Sequence, residues 1–214
     1  LNCRITADPT GFDGTPITDG TGDIWFFKVA WSSPGSYKVV SYNATQEEIV
    51  NKPWITFHSV NPNIDDGEVE EYIYKGLTQS SDGKLWFTYY GRNSSNRDCI
   101  KGFTFNGTNF SNSAVLTSGN DAYGHSLALL DNGRLLLTYA RWVGSNTEIY
   151  YKLFPSTLTA QDIGVLGEAL VTSEPYSVYA PQIQQLHSGQ FAFSWARDEY
   201  ENYAAYICLA DSLT

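Results

Sequence analysis

The chain has 214 residues, a formal charge of −10, and 15 Tyr, 11 Phe and 6 Trp against only 13 Lys and Arg. That length can bury a core. Its acidic balance argues against nucleic acid or an anionic membrane as partner, and no apolar run reaches the roughly 18 residues of a membrane helix. Abundant Thr, Ser, Asn and Gly beside the aromatics favour pleated strands and tight turns over helices. The N-terminus lacks a signal-peptide pattern. A chain without Met that opens at Leu1 reads as a processed or excised part of a longer polypeptide.

In chain order, the first extended segment is 3–7. A short hairpin follows, with strands at 16–18 and 23–31 around the turn Asp19-Gly20-Thr21-Gly22, then strands at 37–42 and 54–59. The pattern returns with 72–77, the turn Ser81-Asp82-Gly83, 84–90, 99–105 and 114–118. It returns again as 125–130, the turn Asp131-Asn132-Gly133, 134–139, 149–154 and 169–173. The last copy runs 180–186, His187-Ser188-Gly189, 190–195 and 203–210, and stops before a fourth strand. A glycine-containing turn between two alternating strands is a hairpin signal.

Turn glycines at Gly22, Gly83, Gly133 and Gly189 are 61, 50 and 56 residues apart. Four strands per repeat at such spacing mark propeller blades. The sequence therefore predicts an all-β, four-bladed β-propeller in one domain. Its repeats span about 8–59, 60–118, 119–173, and 174–214 completed by 1–7. Pairing strand 3–7 with the last blade would close the ring and remove an exposed edge. Closure would bring Cys3 beside the strand carrying Cys208, as a disulfide or as two small buried thiols. Cys99, on another blade, reads as a buried thiol. The cysteines are too few and too scattered for a zinc site.

The stretch His125-Ser126-Leu127-Ala128-Leu129-Leu130-Asp131-Asn132-Gly133, continuing to Tyr139, resembles the blade repeats of sialidase-like propellers. Residues 180–195, from Ala180-Pro181-Gln182-Ile183 to Trp195, resemble the same unit and also blade repeats of large bacterial adhesins. The resemblance covers the second to fourth repeats and implies a propeller reduced to four blades, since sialidases have six. The four-bladed haemopexin-like domains are a parallel in size. The sialidase Asp-box lies between third and fourth strands, whereas Ser81-Asp82-Gly83-Lys84-Leu85-Trp86 lies between first and second. Asp82-Gly83 therefore reads as turn chemistry.

In propellers the ligand face carries the loops leading into first strands and those joining second to third strands; a rigid scaffold holds them. The lead-in loops supply Glu71, Tyr123, His125, Tyr176 and Tyr179. The second set supplies Arg92, Arg141, Trp142, Arg197, Asp198 and Tyr200. Aromatic rings flanked by acids and arginines suit a sugar, and they suit a protein partner equally. Arg92, Arg141 and Arg197 recur eight or nine residues after their turn glycines. Such a trio would clamp a carboxylate; alternatively each covers its blade's aromatics and pairs with Asp98, Glu148 or Asp198. His125 reads as a candidate base or a hydrogen-bonded structural residue. No carboxylate pair is singled out for glycosidic catalysis, so no catalytic residue is assigned. The segment Asp65-Asp66-Gly67-Glu68 lacks the ligand periodicity of a calcium loop. No cofactor is expected, calcium being the one the composition admits.

Three functions fit these residues. The first is a recognition module of adhesin, phage-tail or receptor-binding type, extracellular, at a cell surface or on a virion, binding a surface glycan or protein. The second is a structural propeller within a larger polypeptide or assembly. The third is a reduced sialidase-like glycosidase or lyase. Fold alone does not choose among them.

Overall fold

The computed structural model describes residues 17–18, 23–30, 36–43, 55–59, 76–117, 121–199 and 202–213. They form four antiparallel sheets, each a simple meander. The first sheet contains β1 (Ile17–Thr18), β2 (Asp23–Ala30), β3 (Ser36–Asn43) and β4 (Ile55–Ser59). The second contains β5 (Leu77–Gln79), β6 (Leu85–Arg92), β7 (Asp98–Phe105) and β8 (Ala114–Val115). The third contains β9 (Ala122–Leu129), β10 (Arg134–Val143), β11 (Asn146–Pro155) and β12 (Ala169–Leu170), with a short helix α1 (Ala160–Gly164) before β12. The fourth contains β13 (Val178–Gln185), β14 (Phe191–Glu199) and β15 (Asn202–Ala210).

One turn is used three times. Gly83, Gly133 and Gly189 have φ of 83°, 77° and 86°, a region open to glycine without a Cβ penalty. In each case the residue three before the glycine accepts its N–H and pairs with the strand beyond: Ser80 with Lys84, Leu130 with Arg134, Leu186 with Gln190. A three-residue hairpin loop with a left-handed third residue has this bonding pattern. Asp82 is turn chemistry as the sequence suggests, accepting from the Ser80 hydroxyl at 2.5 Å and from Lys84 Nζ at 2.7 Å.

Because the turn is constant, positions counted from its glycine are equivalent between sheets. Along β6, β10 and β14, even offsets face the preceding sheet and odd offsets the following one, and the residues paired with them across the ladder share their face. Trp86, Tyr90 and Ile100 of the second sheet thus pack on Leu135, Leu137, Tyr139 and Phe154 of the third. Leu136 and partly buried Tyr151 and Leu153 of the third pack on Ile183, Phe191 and Phe193 of the fourth. Fully burying one such side chain stabilises the fold by roughly 1.5–3 kcal/mol. The first strands lie side by side in chain order, β1 against β5, β5 against β9, and β9 against β13.

Some sequence expectations need correction. The fourth strands at 114–118 and 169–173 pair over only Ala114–Val115 and Ala169–Leu170. The segment before β12 holds α1, which the strand pattern does not anticipate. A reciprocal cap starts this helix, with Thr159 Oγ1 accepting from Asp162 N and the Asp162 carboxylate accepting from Thr159 N. Strand 3–7 and Cys3 lie outside the described residues, so ring closure and the Cys3–Cys208 bridge are not described. Cys208 is exposed on β15, and Cys99 is fully buried.

Candidate functional site at the mouth of the inner strands

At the loop end, the described lead-in segments, those of the third and fourth sheets, are stitched to neighbouring strands. Trp142 N donates to the Asp121 carbonyl at 3.1 Å and Asp198 N to the Ser177 carbonyl at 3.0 Å. Thr147 N donates to Ser177 Oγ at 3.3 Å, and the Arg97 side chain reaches from the β6–β7 loop to Asp121. The lead-in loops are therefore fixed to the scaffold rather than draped over it.

Beside them, β9 and β13 each break register. Tyr139 pairs with His125 and Ala140 with Tyr123, leaving Gly124 extra. Ala196 pairs with Tyr179 and Ser194 with Gln182, placing Ala180 and Pro181 opposite Trp195. Tyr139 and Trp195 are both six residues past their turn glycines, so the bulges are equivalent, and both carry left-handed backbone. The φ is 47° at Gly124 and 49° at Ala180. For an L-residue such as Ala that conformation costs about 1–2 kcal/mol. Bulges re-aim side chains and cluster beside functional sites.

The re-aimed residues are Tyr123 and Tyr179. Their rings stack, with centroids 6.3 Å apart and planes 30° apart. The Tyr123 hydroxyl hydrogen-bonds Thr147 Oγ1 at 2.5 Å. Burial raises the Tyr123 phenol above its ordinary range, more than the Thr147 bond lowers it. Both rings are partly accessible, and Trp142, 46 % exposed, stands on the β10–β11 hairpin tied to Asp121.

The other sequence candidates separate from this pair. His125 is fully buried, and burial pushes its imidazole down to about 4, against a smaller opposing effect of the Thr88 backbone. Neither ring nitrogen makes a hydrogen bond of good geometry among the described residues. It is a neutral interior residue and cannot touch a ligand from this face. Glu71 and Tyr200 lie outside the described residues.

The arginines are each held by carboxylates. Arg141 pairs with Glu168, which also accepts the Tyr139 hydroxyl, and its guanidinium lies 3.8 Å over the Tyr150 ring. Arg197 pairs with Glu174 at 3.0 Å and with Glu199, which also accepts from Tyr206. Its guanidinium lies 4.1 Å over Tyr206 and 5.4 Å from Tyr176, which places Tyr176 in this cluster. The partners are thus Glu168, Glu174 and Glu199, where the sequence pointed to Glu148 and Asp198. Arg92 does pair with Asp98, at 3.4 Å.

Arg92 is not the counterpart of the other two. Arg141 and Arg197 are eight residues past their glycines, whereas Arg92 is nine past Gly83, and Gly91 holds the equivalent place. One residue of offset turns a strand side chain to the other face. Arg92 shares its register position with Trp142 and Asp198.

Carboxylates at this end are held ionised where a shift is resolved. Arg97 keeps Asp121 below its ordinary range, and Tyr206 with Arg197 does the same for Glu199. Among the described residues no group of three or more His, Cys, Asp or Glu converges as a metal site. A shallow depression of about 500 Å³ sits at the opposite end of the sheets, lined by Ser81, Leu129, Leu130, Asp131, Asn132 and Gly133. Its polar groups serve the turns, Asn132 accepting from Arg134 N and Asp131 N donating to Gln185.

No protein-family model matches the chain, and no curated protein is similar to it in sequence. Solved structures do share its fold. A Dyadobacter fermentans protein of unknown function aligns over 91 % of this chain and 51 % of its own, with a TM-score of 0.62 and 13 % identity. An endo-arabinase from Bacteroides thetaiotaomicron aligns over 94 % and 75 %, with 0.58 and 13 %. A polysaccharide lyase of family PL25, an ulvan lyase, aligns over 92 % and 55 %, with 0.59 and 9 %. The chain thus spans from about half to three quarters of these proteins' lengths. At such identities the likeness is one of fold, and the fold is of propeller type.

Proposed function

We propose that the protein is a glycan-active propeller that seats a polysaccharide on its loop face, with Tyr123 and Tyr179 as the stacking platform and Trp142 at its rim. The observation that carries this reading is the pair of abutting bulges. Two left-handed backbone positions in neighbouring sheets, a glycine and a strained alanine, serve one visible end, which is to set two tyrosines side by side at the mouth of the inner strands. A rigid aromatic pair beside hydroxyl and carboxylate groups offers a sugar both a stacking surface and hydrogen bonds. The endo-arabinase and the ulvan lyase with which the chain shares its fold support a polysaccharide over a protein ligand.

Those neighbours also favour cleavage, by hydrolase or lyase chemistry, over attachment alone as in an adhesin or phage tail. Attachment alone is the second reading, and Asp121 and Glu199, held ionised by Arg97 and by Tyr206 with Arg197, do not serve as a glycosidase's proton donor. In the cleavage reading the donor is a tyrosine of the platform or a lead-in acid such as Glu71. An extracellular, cell-surface or virion setting and a requirement for calcium belong to the same proposal.

The test incubates purified protein with arabinan, xylan and ulvan, with and without calcium. Binding is read by affinity electrophoresis, hydrolysis by new reducing ends, and elimination by the ultraviolet absorbance of an unsaturated uronate. Retardation in one of these gels without product establishes attachment, and product of either kind establishes cleavage. Neither, in any polysaccharide, contradicts the proposal.

A further inference from the structure

Around the Tyr123–Tyr179 pair, the arginines are taken by the protein's own acids. A guanidinium is the usual fork for a carboxylate or sulfate on a sugar, provided its donors are open to the ligand. Arg97 lays its fork along Asp121, two residues before Tyr123, with Nε 3.0 Å from one carboxylate oxygen and a terminal nitrogen on the other. Arg141, next to Trp142, pairs with Glu168. Arg197, opposite Val178 in the ladder, pairs with both Glu174 and Glu199. Arg141 and Arg197 also lie over the rings of Tyr150 and Tyr206, at 3.8 and 4.1 Å. Arg92, farther along this end, pairs with Asp98 at 3.4 Å.

Acids outnumber these four arginines. Beyond the five carboxylates just named, Glu148 accepts from the Thr172 hydroxyl and from Glu174 N, and Asp198 follows Arg197 on β14. The sequence segments 8–15, 32–36 and 60–71 contain seven more Asp and Glu and no Lys or Arg. Beside the rings themselves the polar groups are neutral. Thr147 Oγ1 lies 2.5 Å from the Tyr123 hydroxyl, Ser177 Oγ accepts from Thr147 N at 3.3 Å, and Asn146 Nδ2 donates to the Glu174 carbonyl at 3.3 Å.

We propose, resting on the reading of this face as a polysaccharide platform, that its ligand is an uncharged polysaccharide and that uronate- or sulfate-bearing chains are refused. A sugar hydroxyl donates to a carboxylate and accepts from an amide or hydroxyl, so a neutral chain uses what is present. A sugar carboxylate or sulfate would have to displace an acid already bonded to its arginine, and approach a surplus of like charge to do so.

Isothermal titration calorimetry of the wild type tests this, in EDTA and in calcium, at low and at high salt. Neutral arabinan and xylan are titrated beside ulvan. The tighter neutral binder is also titrated as its carboxymethyl derivative and as its hydroxyethyl derivative, a neutral group of similar size. The hydroxyethyl polymer should keep its affinity, and the carboxymethyl polymer and ulvan should bind at least about tenfold more weakly at low salt, the gap narrowing as salt screens the face. Ulvan or the carboxymethyl polymer binding as tightly as the neutral polymer in either buffer overturns the inference and leaves the platform standing. An equal loss with the hydroxyethyl polymer also overturns it, since bulk rather than charge is then refused. No binding by any of the polymers removes the platform reading and this inference with it.

Discussion

Gly124 and Ala180 stand back to back across the gap between the third and fourth sheets, each within the bulge of its own inner strand. A Cβ on Gly124 would lie 3.5 Å from the Ala180 backbone nitrogen, an ordinary contact, so space does not require the glycine. Its φ of 47° does. Gly124→Ala is expected to lower stability by about 1–2 kcal/mol, and Gly124→Val by more, since a β-branched side chain fits that region worse. Urea unfolding measures the loss. The same variants should weaken polysaccharide binding, because the bulge aims Tyr123 at Tyr179.

The arginines serve the fold, and unequally. Glu168 and Arg141 are 13 % and 18 % exposed, and Glu168 also takes the Tyr139 hydroxyl, so Glu168→Ala leaves a half-buried guanidinium and a phenol unsatisfied. The expected loss is about 3–5 kcal/mol. Arg92 and Asp98 are each about a third exposed, and Arg92→Ala should cost less than about 1 kcal/mol. Thermal denaturation of the two variants side by side checks the ratio. Equal effects would return Arg92 to the company of Arg141.

His125 makes stability depend on pH in a stated window. Its folded pKa of about 4 lies below the ordinary 6.5, because burial disfavours the charged ring. Below 6.5 the unfolded chain takes up a proton that the folded protein refuses. Stability contributed by the neutral ring is therefore complete above pH 6.5 and lost as pH falls towards 4. The span is about 3 kcal/mol at most. Unfolding free energies at pH 7 and pH 4.5 should diverge in the wild type and converge in His125→Asn, once that variant's own offset at pH 7 is subtracted.

Much of the architecture is legible in the chain because its turns are chemically explicit. Gly83, Gly133 and Gly189 announce the same loop, and the strands expected around Gly133 and Gly189 and after Gly83 match the structure to within a few residues, whereas the strand expected at 72–77 is found at Leu77–Gln79, with 72–75 outside the described residues. The helix at 160–164 escapes a strand-period reading, although Thr159 and Asp162 carry a capping signal at the proper spacing. The site was legible only in part. Tyr123, Tyr179 and Trp142 follow from loop topology, but the bulges that bring the tyrosines together depend on a register break that residue types do not reveal. Arg92 was misplaced by one position, a difference invisible in composition and decisive in a strand. His125 sits two residues beyond Tyr123, a spacing that keeps one side in a regular strand, and ends up buried because the extra residue Gly124 changes which side the chain presents.

The central claim is that the Tyr123–Tyr179 pair is a saccharide platform, and affinity electrophoresis in polysaccharide gels tests it most directly. The wild type, Tyr179→Ala and Arg92→Ala are to be run side by side in whichever of arabinan, xylan or ulvan retards the wild type. Loss of one stacking ring costs about 1–2 kcal/mol, so Tyr179→Ala should weaken retardation roughly tenfold while Arg92→Ala leaves it unchanged. Retardation of Tyr179→Ala equal to that of the wild type would contradict the account and move the ligand away from the inner-strand mouth.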